Sequence, residues 1–352
     1  MPNATATRST ATAAPVKVKS NARRVLLGRD ANTVYALILV VILASIFVPF
    51  FAGVTTVSFL LIDAVPILLM AMPMALIIIT GEIDLSVAST AGLSAAVMGV
   101  LFHDAHWSLG WVFVACLLVG LVCGAFNGIL ISTIGLPSLA VTIGTLALFR
   151  GLALVVIGDS AVADFPVALT TFATSTIGGT GIPTVMIFVL IVILIFGVVL
   201  HFTPFGRSLF ALGFSKEAAT FVGIHVNRSK FWLYVASGVI SSIAGVFWVL
   251  RYSSAQSDSV KGLELSVVAA VLLGGVSIFG GLGGIVGVVA GVLLIRTVNY
   301  SLQLAGLPDT VLTIVTGTLL VLSVIAPSIS GRLRLSADRK RSKSLPREAT
   351  AT

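Results

Sequence analysis

The chain has 352 residues, of which 57% are hydrophobic and 10% are charged, and its formal net charge is +8. Soluble globular domains usually contain about 25% charged residues, so this composition excludes an ordinary soluble domain and indicates a membrane protein. The positive charge is concentrated in two polar tails beside apolar runs, which favours topology-fixing tails over nucleic-acid binding.

Ten apolar runs are candidate membrane spans, because a helix needs about 20 mostly apolar residues to cross a bilayer. In chain order these runs are 34–52, 57–79, 85–102, 109–134, 138–157, 183–202, 231–250, 263–280, 284–304 and 309–327. Glycine and acidic residues interrupt the second and third runs and the eighth and ninth, so a smaller count, down to eight, stays open. The expected fold is an all-α, polytopic transmembrane helix bundle of about ten spans.

Basic tails flank this apolar region. Residues 1–33 contain six basic residues against one acid, and residues 328–352 contain seven against two. Basic residues near the ends of spans stay in the cytoplasm. We therefore expect a disordered cytoplasmic N-terminal tail (1–33), one transmembrane domain (34–327) and a cytoplasmic C-terminal tail (328–352), with an even number of spans.

The stretch TGEIDLSVAST places two acids, Glu82 and Asp84, between two predicted spans. Ionisable residues at membrane depth are costly and usually face a cavity, a partner or the interface. Asp84 could cap a helix that begins at Leu85, or it could face a translocation path. Asn127 and Arg150 are further polar candidates for that path, and Arg150 could pair with either acid.

One interior loop, residues 203–230, is polar and net basic, as expected of a cytoplasmic loop. Within it, Ser215 can be the N-cap of a short helix, Glu217 lies in the first turn, and Gly223 can end the helix. Such a helix could either join two spans at the membrane surface or contact another protein.

Glycines recur at three- and four-residue spacing along the predicted ninth span. Small residues let helix backbones approach closely in a bilayer. We expect this series to pack helices within the chain, and contact between two copies is the alternative. Its members are Gly280, Gly284, Gly287 and Gly291.

Motifs of soluble enzyme chemistry are absent from the sequence, including the phosphate-binding G-x-x-x-x-G-K-[ST] loop and the zinc motif H-E-x-x-H. His103 and His106 flank Asp104 on a short predicted loop without a third metal ligand in view. Cys116 and Cys123 lie in one predicted span and are assigned no function. We therefore expect no catalytic residue and no bound metal or cofactor.

The spacing E-A-A-x-x-x-G at Glu217, Ala218, Ala219 and Gly223 is similar to the cytoplasmic coupling loop of ATP-binding-cassette (ABC) importer permeases. This resemblance implies that residues 203–230 are the loop through which a separate ATPase acts on the spans. The segment FGRSLFALG just before it also resembles these permeases and adds Arg207 to the implied loop.

Further segments resemble, in the same order, the ribose-type monosaccharide permeases of ABC importers. They are GEIDLSVAS, NGILISTIGLPSLAVTIGTLALFRGLAL and AAVLLGGVSIFGGLGGIVGVVAGVLLI, and the resemblance covers roughly residues 35–327. Asp84 matches the usual form of the first segment, GGIDLS. Glu82 departs from it and is therefore either a local specificity element or a tolerated surface change.

The resemblance implies a multi-pass permease subunit in a bacterial inner membrane that moves a monosaccharide or small polyol of the ribose, rhamnose, xylose or autoinducer-2 type. The implied partners are a second permease copy or a homologous permease, cytosolic ABC ATPase subunits that use the ATP, and a periplasmic or lipid-anchored sugar-binding protein. No nucleic-acid partner is implied. The chain would be a transport subunit rather than an enzyme.

Three alternatives stay open. The first is the related branched-chain amino-acid ABC permease. The second is a membrane enzyme built on His103, Asp104 and His106, although a nucleophile with its base and orienting group is not assembled there. The third is an ion-coupled secondary transporter, which would need intramembrane acids. Its nominal ion sites are Asp63, Glu82, Asp84, Glu264 and Asp309.

Overall fold

The computed structural model describes residues 29–325, which are mostly helical. The helices are α1 (Arg29–Phe47), α2 (Val54–Ile79), α3 (Val87–His103), α4 (Leu109–Gly128), α5 (Ser138–Ile157), α6 (Val167–Thr174), α7 (Val185–Phe202), α8 (Pro204–Phe214), α9 (Lys216–Phe221), α10 (Val226–Tyr252), α11 (Leu263–Leu273), α12 (Ile285–Leu304) and α13 (Asp309–Ile325). A π-helical turn, Ile129–Thr133, extends α4, and two short strands, β1 (Val162–Ala163) and β2 (Ser254–Ala255), pair antiparallel.

Six of the helices in residues 29–325 are long and apolar enough to cross a membrane: α2, α4 with its π-helical turn, α5, α7, α10 and α12. Four shorter apolar helices, α1, α3, α11 and α13, lie at other predicted runs. This composition confirms the predicted all-α membrane bundle.

Two predicted boundaries are wrong. Helix α1 begins at Arg29, inside the tail expected to be disordered, and its buried Thr33 donates a hydrogen bond of 2.7 Å to the Leu273 carbonyl. Helix α11 ends at Leu273 rather than at residue 280, because Gly275 has a φ of +88° that breaks the helix. The rest of both predicted tails lies outside the described residues.

Helix α2 is the centre of the bundle. Every residue from Ala64 to Ile79 is buried, and α7, α10, α11 and α12 pack around it. A helix that is hydrophobic on all sides is typical of a position surrounded by other helices. Its two internal prolines, Pro66 and Pro73, are also buried, so packed neighbours surround the interrupted backbone.

Helices α4 and α10 approach each other through glycines. An added Cβ at Gly124 would clash with the Tyr234 carbonyl, and one at Gly238 would clash with the Gly120 carbonyl. Small residues at such contacts allow close backbone packing where the hydrophobic effect does not drive association. This contact was not among the predicted glycine sites.

One end of the bundle gathers the acidic loop, defined as residues 80–86, and the 203–230 loop. The Gly281 amide donates a 2.8 Å hydrogen bond to the Ile79 carbonyl at the end of α2. Gly213 on α8 lies directly against both residues, so a side chain at position 213 would not fit. We call this end the loop end.

Candidate coupling site

The acidic loop is held between three helices. Helix α2 ends where the Glu82 amide donates to the Ile77 carbonyl at 3.2 Å. The Ile83 amide then donates to Ser138 Oγ of α5 at 3.3 Å, and the Tyr234 hydroxyl of α10 donates to the Ile83 carbonyl at 3.1 Å. These contacts fix the backbone that carries the two acids.

Glu82 joins the acidic loop to the 203–230 loop and to α10. Its Oε1 accepts a hydrogen bond of 3.1 Å from Lys216 Nζ at the start of α9, and a second one from Lys230 Nζ on α10. The side chains of Glu82 and Lys230 are only 9% and 7% exposed, whereas Lys216 is 54% exposed. The interpretation of Glu82 as a tolerated surface change is therefore wrong.

The electrostatics of this trio favour the ionised carboxylate. Burial raises the pKa of Glu82, but the hydrogen bonds from Lys230 and Ser138 and the charges of Lys230 and Lys216 lower it more. The pKa of Glu82 consequently lies below the ordinary value, and the group is a carboxylate at neutral pH. With both lysines protonated, the three groups have a formal charge of +1.

Asp84 organises the start of α3. Its Oδ1 accepts from the Ser86 amide at 3.0 Å and from Ser86 Oγ at 2.6 Å, and its Oδ2 accepts from Ser237 Oγ of α10 at 2.7 Å. Helix α3 begins at Val87, two residues after Leu85, so the bond from the Ser86 amide to Asp84 closes the turn that leads into the helix. Both of its oxygens are occupied by the protein.

Asn127 belongs to the same network. Its Nδ2 donates to Ser86 Oγ at 2.8 Å, just before the π-helical turn that ends α4. Single π-helical turns within α-helices often occur at functional sites. Asp84, Ser86, Asn127 and Ser237 therefore connect α3, α4 and α10 through buried polar side chains.

Arg150 does not pair with either acid of the acidic loop, so the predicted pairing is wrong. Its Nη2 contacts Glu264 Oε1 of α11 at 3.4 Å. The reason is axial distance, because Ser138 at the start of α5 touches Ile83 and Arg150 lies twelve residues, or about 18 Å, further along that helix.

The local structure of the 203–230 loop follows the prediction. Ser215 Oγ is the N-cap of α9 and accepts from the Ala218 amide at 3.1 Å, Glu217 lies in the first turn, and Gly223 has a φ of +82° just after the helix. Bonds from its own backbone amide and from Ser215 lower the pKa of the Glu217 carboxyl. Ala219 is buried.

The outer face of this loop is exposed and partly apolar. Phe214, Phe221 and Val222 are 70%, 91% and 74% exposed, and Arg207, Glu217 and Ala218 are exposed beside them. Exposed apolar clusters on a polar segment are typical of protein contact sites.

The predicted glycine series divides between two environments. Gly291 packs against the Ala270 carbonyl of α11, and Gly287 lies beside Gly274, so these two do pack helices. Gly280, with a φ of +81°, and Gly284 precede α12 and are not on a helix, which corrects their placement along a span. The segment between α11 and α12 instead packs at the loop end, where Gly281 bonds to Ile79.

A further group of charges lies inside the bundle. Asp63 on α2 contacts Arg251 Nε at 3.6 Å and Arg296 Nη2 at 3.3 Å. Within residues 29–325, no group of three or more histidine, cysteine or acidic residues could hold a metal ion, and His103 contacts only Asp104 in an exposed pair.

Lys216, Lys230 and Ser237 belong to this candidate site but were not predicted from the sequence. The two lysines entered the sequence analysis only through the net basic charge of residues 203–230. A usable signal existed in the departure from GGIDLS, because an acid introduced beside a span calls for a basic partner. The Ser237 contact had no comparable signal among the many serines of α10.

Comparison with known proteins gives this site a context. Residues 56–324 match the profile of the family described as "Branched-chain amino acid transport system / permease component". The chain belongs to this permease family. No solved structure matches it.

Several curated proteins with sequences similar to this chain are named "Autoinducer 2 import system permease protein LsrD". The one from Photorhabdus luminescens is 38% identical over 76% of this chain and 81% of its own length. Those from Klebsiella pneumoniae subsp. pneumoniae and Salmonella typhimurium are 37% and 36% identical, over 76% of this chain and 82% of their own lengths. The resemblance to sugar-type ABC importer permeases is confirmed.

Membership in this permease family explains the apolar bundle. The chain is a multi-pass inner-membrane transport subunit.

Proposed function

We propose that the chain forms the membrane path of an ABC importer for a small sugar-like solute and receives its energy through residues 203–230. The observation that carries this proposal is the geometry of that loop. Its outer face exposes Phe214 and Phe221, while Lys216 on α9 holds Glu82. A protein that docks on the outer face and moves α9 would therefore act directly on the junction between α2 and α3.

The docked protein in this proposal is a cytosolic ABC ATPase, which binds and hydrolyses the ATP. A ligand shifts a conformational equilibrium only when it binds two states differently. The contact of Glu82 with Lys216 supports such a difference, because moving α9 would break or remake a hydrogen bond at the acidic loop. A second permease copy and a soluble solute-binding protein complete the proposed assembly.

The proposed solute is a small sugar-like molecule of the autoinducer-2, ribose, rhamnose or xylose class. This proposal rests on the printed names of relatives that are 36% to 38% identical. A branched-chain amino acid is the second candidate, since the family description names it. Asp84 has both oxygens occupied by the protein, which supports a positioning role at the path rather than direct solute binding.

An ion-coupled secondary transporter has less support. Asp63, Glu82 and Glu264 each contact lysine or arginine side chains. A carboxylate neutralised by a fixed cation is a poor site for a proton or a sodium ion.

The proposed topology has ten spans, formed by α1 to α5, α7 and α10 to α13, with both termini in the cytoplasm. The loop end, including residues 203–230, would then face the cytoplasm. This arrangement puts the exposed face of α8 and α9 on the side where a cytosolic ATPase can reach it.

Uptake by proteoliposomes tests the proposal. Vesicles would contain the chain, its ATPase and its binding protein, and labelled autoinducer-2, ribose and leucine would be offered with and without internal ATP. We expect ATP-dependent uptake of one sugar-like solute that an ionophore does not abolish. Uptake of leucine alone would favour the second candidate, and ionophore-sensitive uptake without ATP would overturn the importer assignment.

A further inference from the structure

A cavity of about 460 Å³ opens at the loop end beside Glu82, with a volume in the range of small-molecule sites. It lies between α9, α10 and the end of α4. The polar side chains that line it are Glu82, Ser132, Thr133, Lys216, Asn227 and Lys230.

The charge of this cavity favours an anion. Lys216 and Lys230 both contact one oxygen of Glu82, and with both lysines protonated the three groups have a formal charge of +1. A lysine ammonium has three N–H donors, and the Glu82 oxygen takes one from each lysine. Donors on both ammonium groups therefore remain available at the wall of the cavity.

The uncharged groups of the wall suit the same ligand. Ser132 and Thr133 supply hydroxyl groups, and Asn227 supplies an amide. Asn227 also lies in the first turn of α10, a helix of 27 residues whose cap residue His225 makes no side-chain capping bond. The partial positive charge at that helix start adds to the lysine charges.

We propose that this cavity binds the phosphate group of a small molecule between Lys216 and Lys230. A phosphate group presents at least three acceptor oxygens and a larger negative charge than a carboxylate, so it suits a site with two ammonium groups and two hydroxyl groups. Glu82 competes for the same two lysines and keeps the affinity low. The phosphate can come from a soluble phosphate ester or from a phospholipid headgroup, because the cavity opens at one end of the membrane bundle.

Bound phosphate would connect α9 to α10. Lys216 belongs to the short helix of the 203–230 loop, and Lys230 belongs to the long helix that packs on α2, α3 and α4. A ligand held by both lysines would stabilise their present separation. This inference stands whether or not residues 203–230 receive an ATPase.

Thermal unfolding of the full chain in dodecyl maltoside, a detergent without phosphate, tests the site, with inorganic phosphate as the probe and chloride at matched ionic strength as the reference. We expect a saturable rise in the melting temperature with phosphate beyond that with chloride. The Glu82→Gln variant removes the competing charge, and we expect its apparent Kd for phosphate to fall by about fivefold or more.

The Lys216→Gln variant removes one of the two ammonium groups that bind phosphate in this proposal. Lys216 is half exposed, so its replacement leaves the buried pair of Glu82 and Lys230 intact. We expect it to abolish the phosphate-specific rise, whereas the control Lys261→Gln, an exposed lysine outside this cavity, retains it. An unchanged rise in Lys216→Gln, or no saturable rise in either the wild type or Glu82→Gln, overturns the proposal.

Phosphatidylglycerol added to the same detergent distinguishes the two sources. If a lipid headgroup occupies the site, the protein melts at a higher temperature with this lipid and added phosphate gives no further rise. If a soluble ester is the ligand, the phosphate-dependent rise persists unchanged. Either result requires that Lys216→Gln remove the effect.

Discussion

At the scale of single residues, two buried acids two positions apart have different roles. Glu82 contacts lysines from two other helices, whereas Asp84 accepts hydrogen bonds from Ser86 and Ser237. Each acid can therefore be tested separately.

The pH dependence of stability tests the Glu82 contacts. A carboxyl whose pKa is lowered in the folded protein stabilises it above the unfolded pKa, about 4.3 for glutamate, and this contribution is lost as the pH falls through the folded value. We expect Glu82→Gln to lower the melting temperature at pH 7 and the difference from wild type to vanish in acid. Asp258→Asn, at an exposed carboxyl, is the control and should leave the melting temperature unchanged. A difference that is constant with pH would contradict the charged contact.

Substitutions of Asp84 test its hydrogen bonds. Asp84→Asn keeps an acceptor oxygen for Ser86, so we expect insertion and folding with reduced uptake. Asp84→Ala leaves the hydroxyl groups of Ser86 and Ser237 without their acceptor, at a cost of about 1–3 kcal/mol for each unsatisfied buried group. In detergent, the melting temperature should therefore be highest for the wild type, lower for Asp84→Asn and lowest for Asp84→Ala. Equal melting of the two variants would show that the charge of Asp84, rather than its geometry, matters.

At the scale of elements, the short helices and the close helix pairs depend on glycines in different ways. Gly223 is needed for its conformation, since it has a φ of +82° and no atom near an added Cβ. Gly124 is needed for its size, since α10 leaves no room for a side chain. The two requirements lead to opposite sets of tolerated substitutions.

Gly223 is tested by comparing Gly223→Leu with Gly223→Asn. Asparagine adopts positive φ more readily than most residues, so we expect only leucine to distort the end of α9. Gly223→Leu should insert normally but lose co-purification with the ATPase and ATP-driven uptake, and Gly223→Asn should retain most of both. The distant change His106→Ala is expected to affect neither. Normal coupling by Gly223→Leu would remove support for the proposed coupling loop.

Gly124 is tested against an exposed glycine. We expect Gly124→Leu to prevent close packing of α4 on α10 and to yield aggregated protein in size-exclusion chromatography after detergent extraction. Gly144→Leu on α5 makes the same chemical change where no atom lies within 4 Å of the added Cβ, and it should elute as the wild type does. Similar profiles for the two variants would contradict the packing of these helices.

At the scale of the whole molecule, pairing of intramembrane charges keeps the bundle compatible with a bilayer. Asp63 lies between Arg251 and Arg296, and Glu264 lies beside Arg150, so helices far apart in sequence supply each other's counter-charges. Removing one partner would leave the other charge inside the bundle without its counter-charge.

The proposed orientation of the bundle is tested with alkaline phosphatase, which is active only outside the cytoplasm. Ala163 pairs with Ser254, so the exposed Gly179 in the same loop is the better insertion point. We expect activity for a fusion at Gly179 and silence for a fusion at Thr352. An active fusion at Thr352 would contradict an even number of spans.

The sequence by itself determined the membrane class, the helical content and the local structure of α9. These properties depend on composition and on residues within a few positions of each other, such as Ser215 capping the amide of Ala218. Family membership was likewise readable from ordered local motifs. Element ends were less certain, as α1 and α11 show, because apolar content alone does not locate the residue at which a helix stops.

Only the tertiary structure decided which charges meet. Glu82 finds Lys216 and Lys230 more than 130 positions away, and Arg150 finds Glu264 rather than the acids predicted for it. Pairing depends on the axial depth and facing of packed helices, which span lengths do not specify. The same holds for Gly120, Gly124 and Gly238, whose spacing resembles that of many other glycines in the chain until α4 lies against α10.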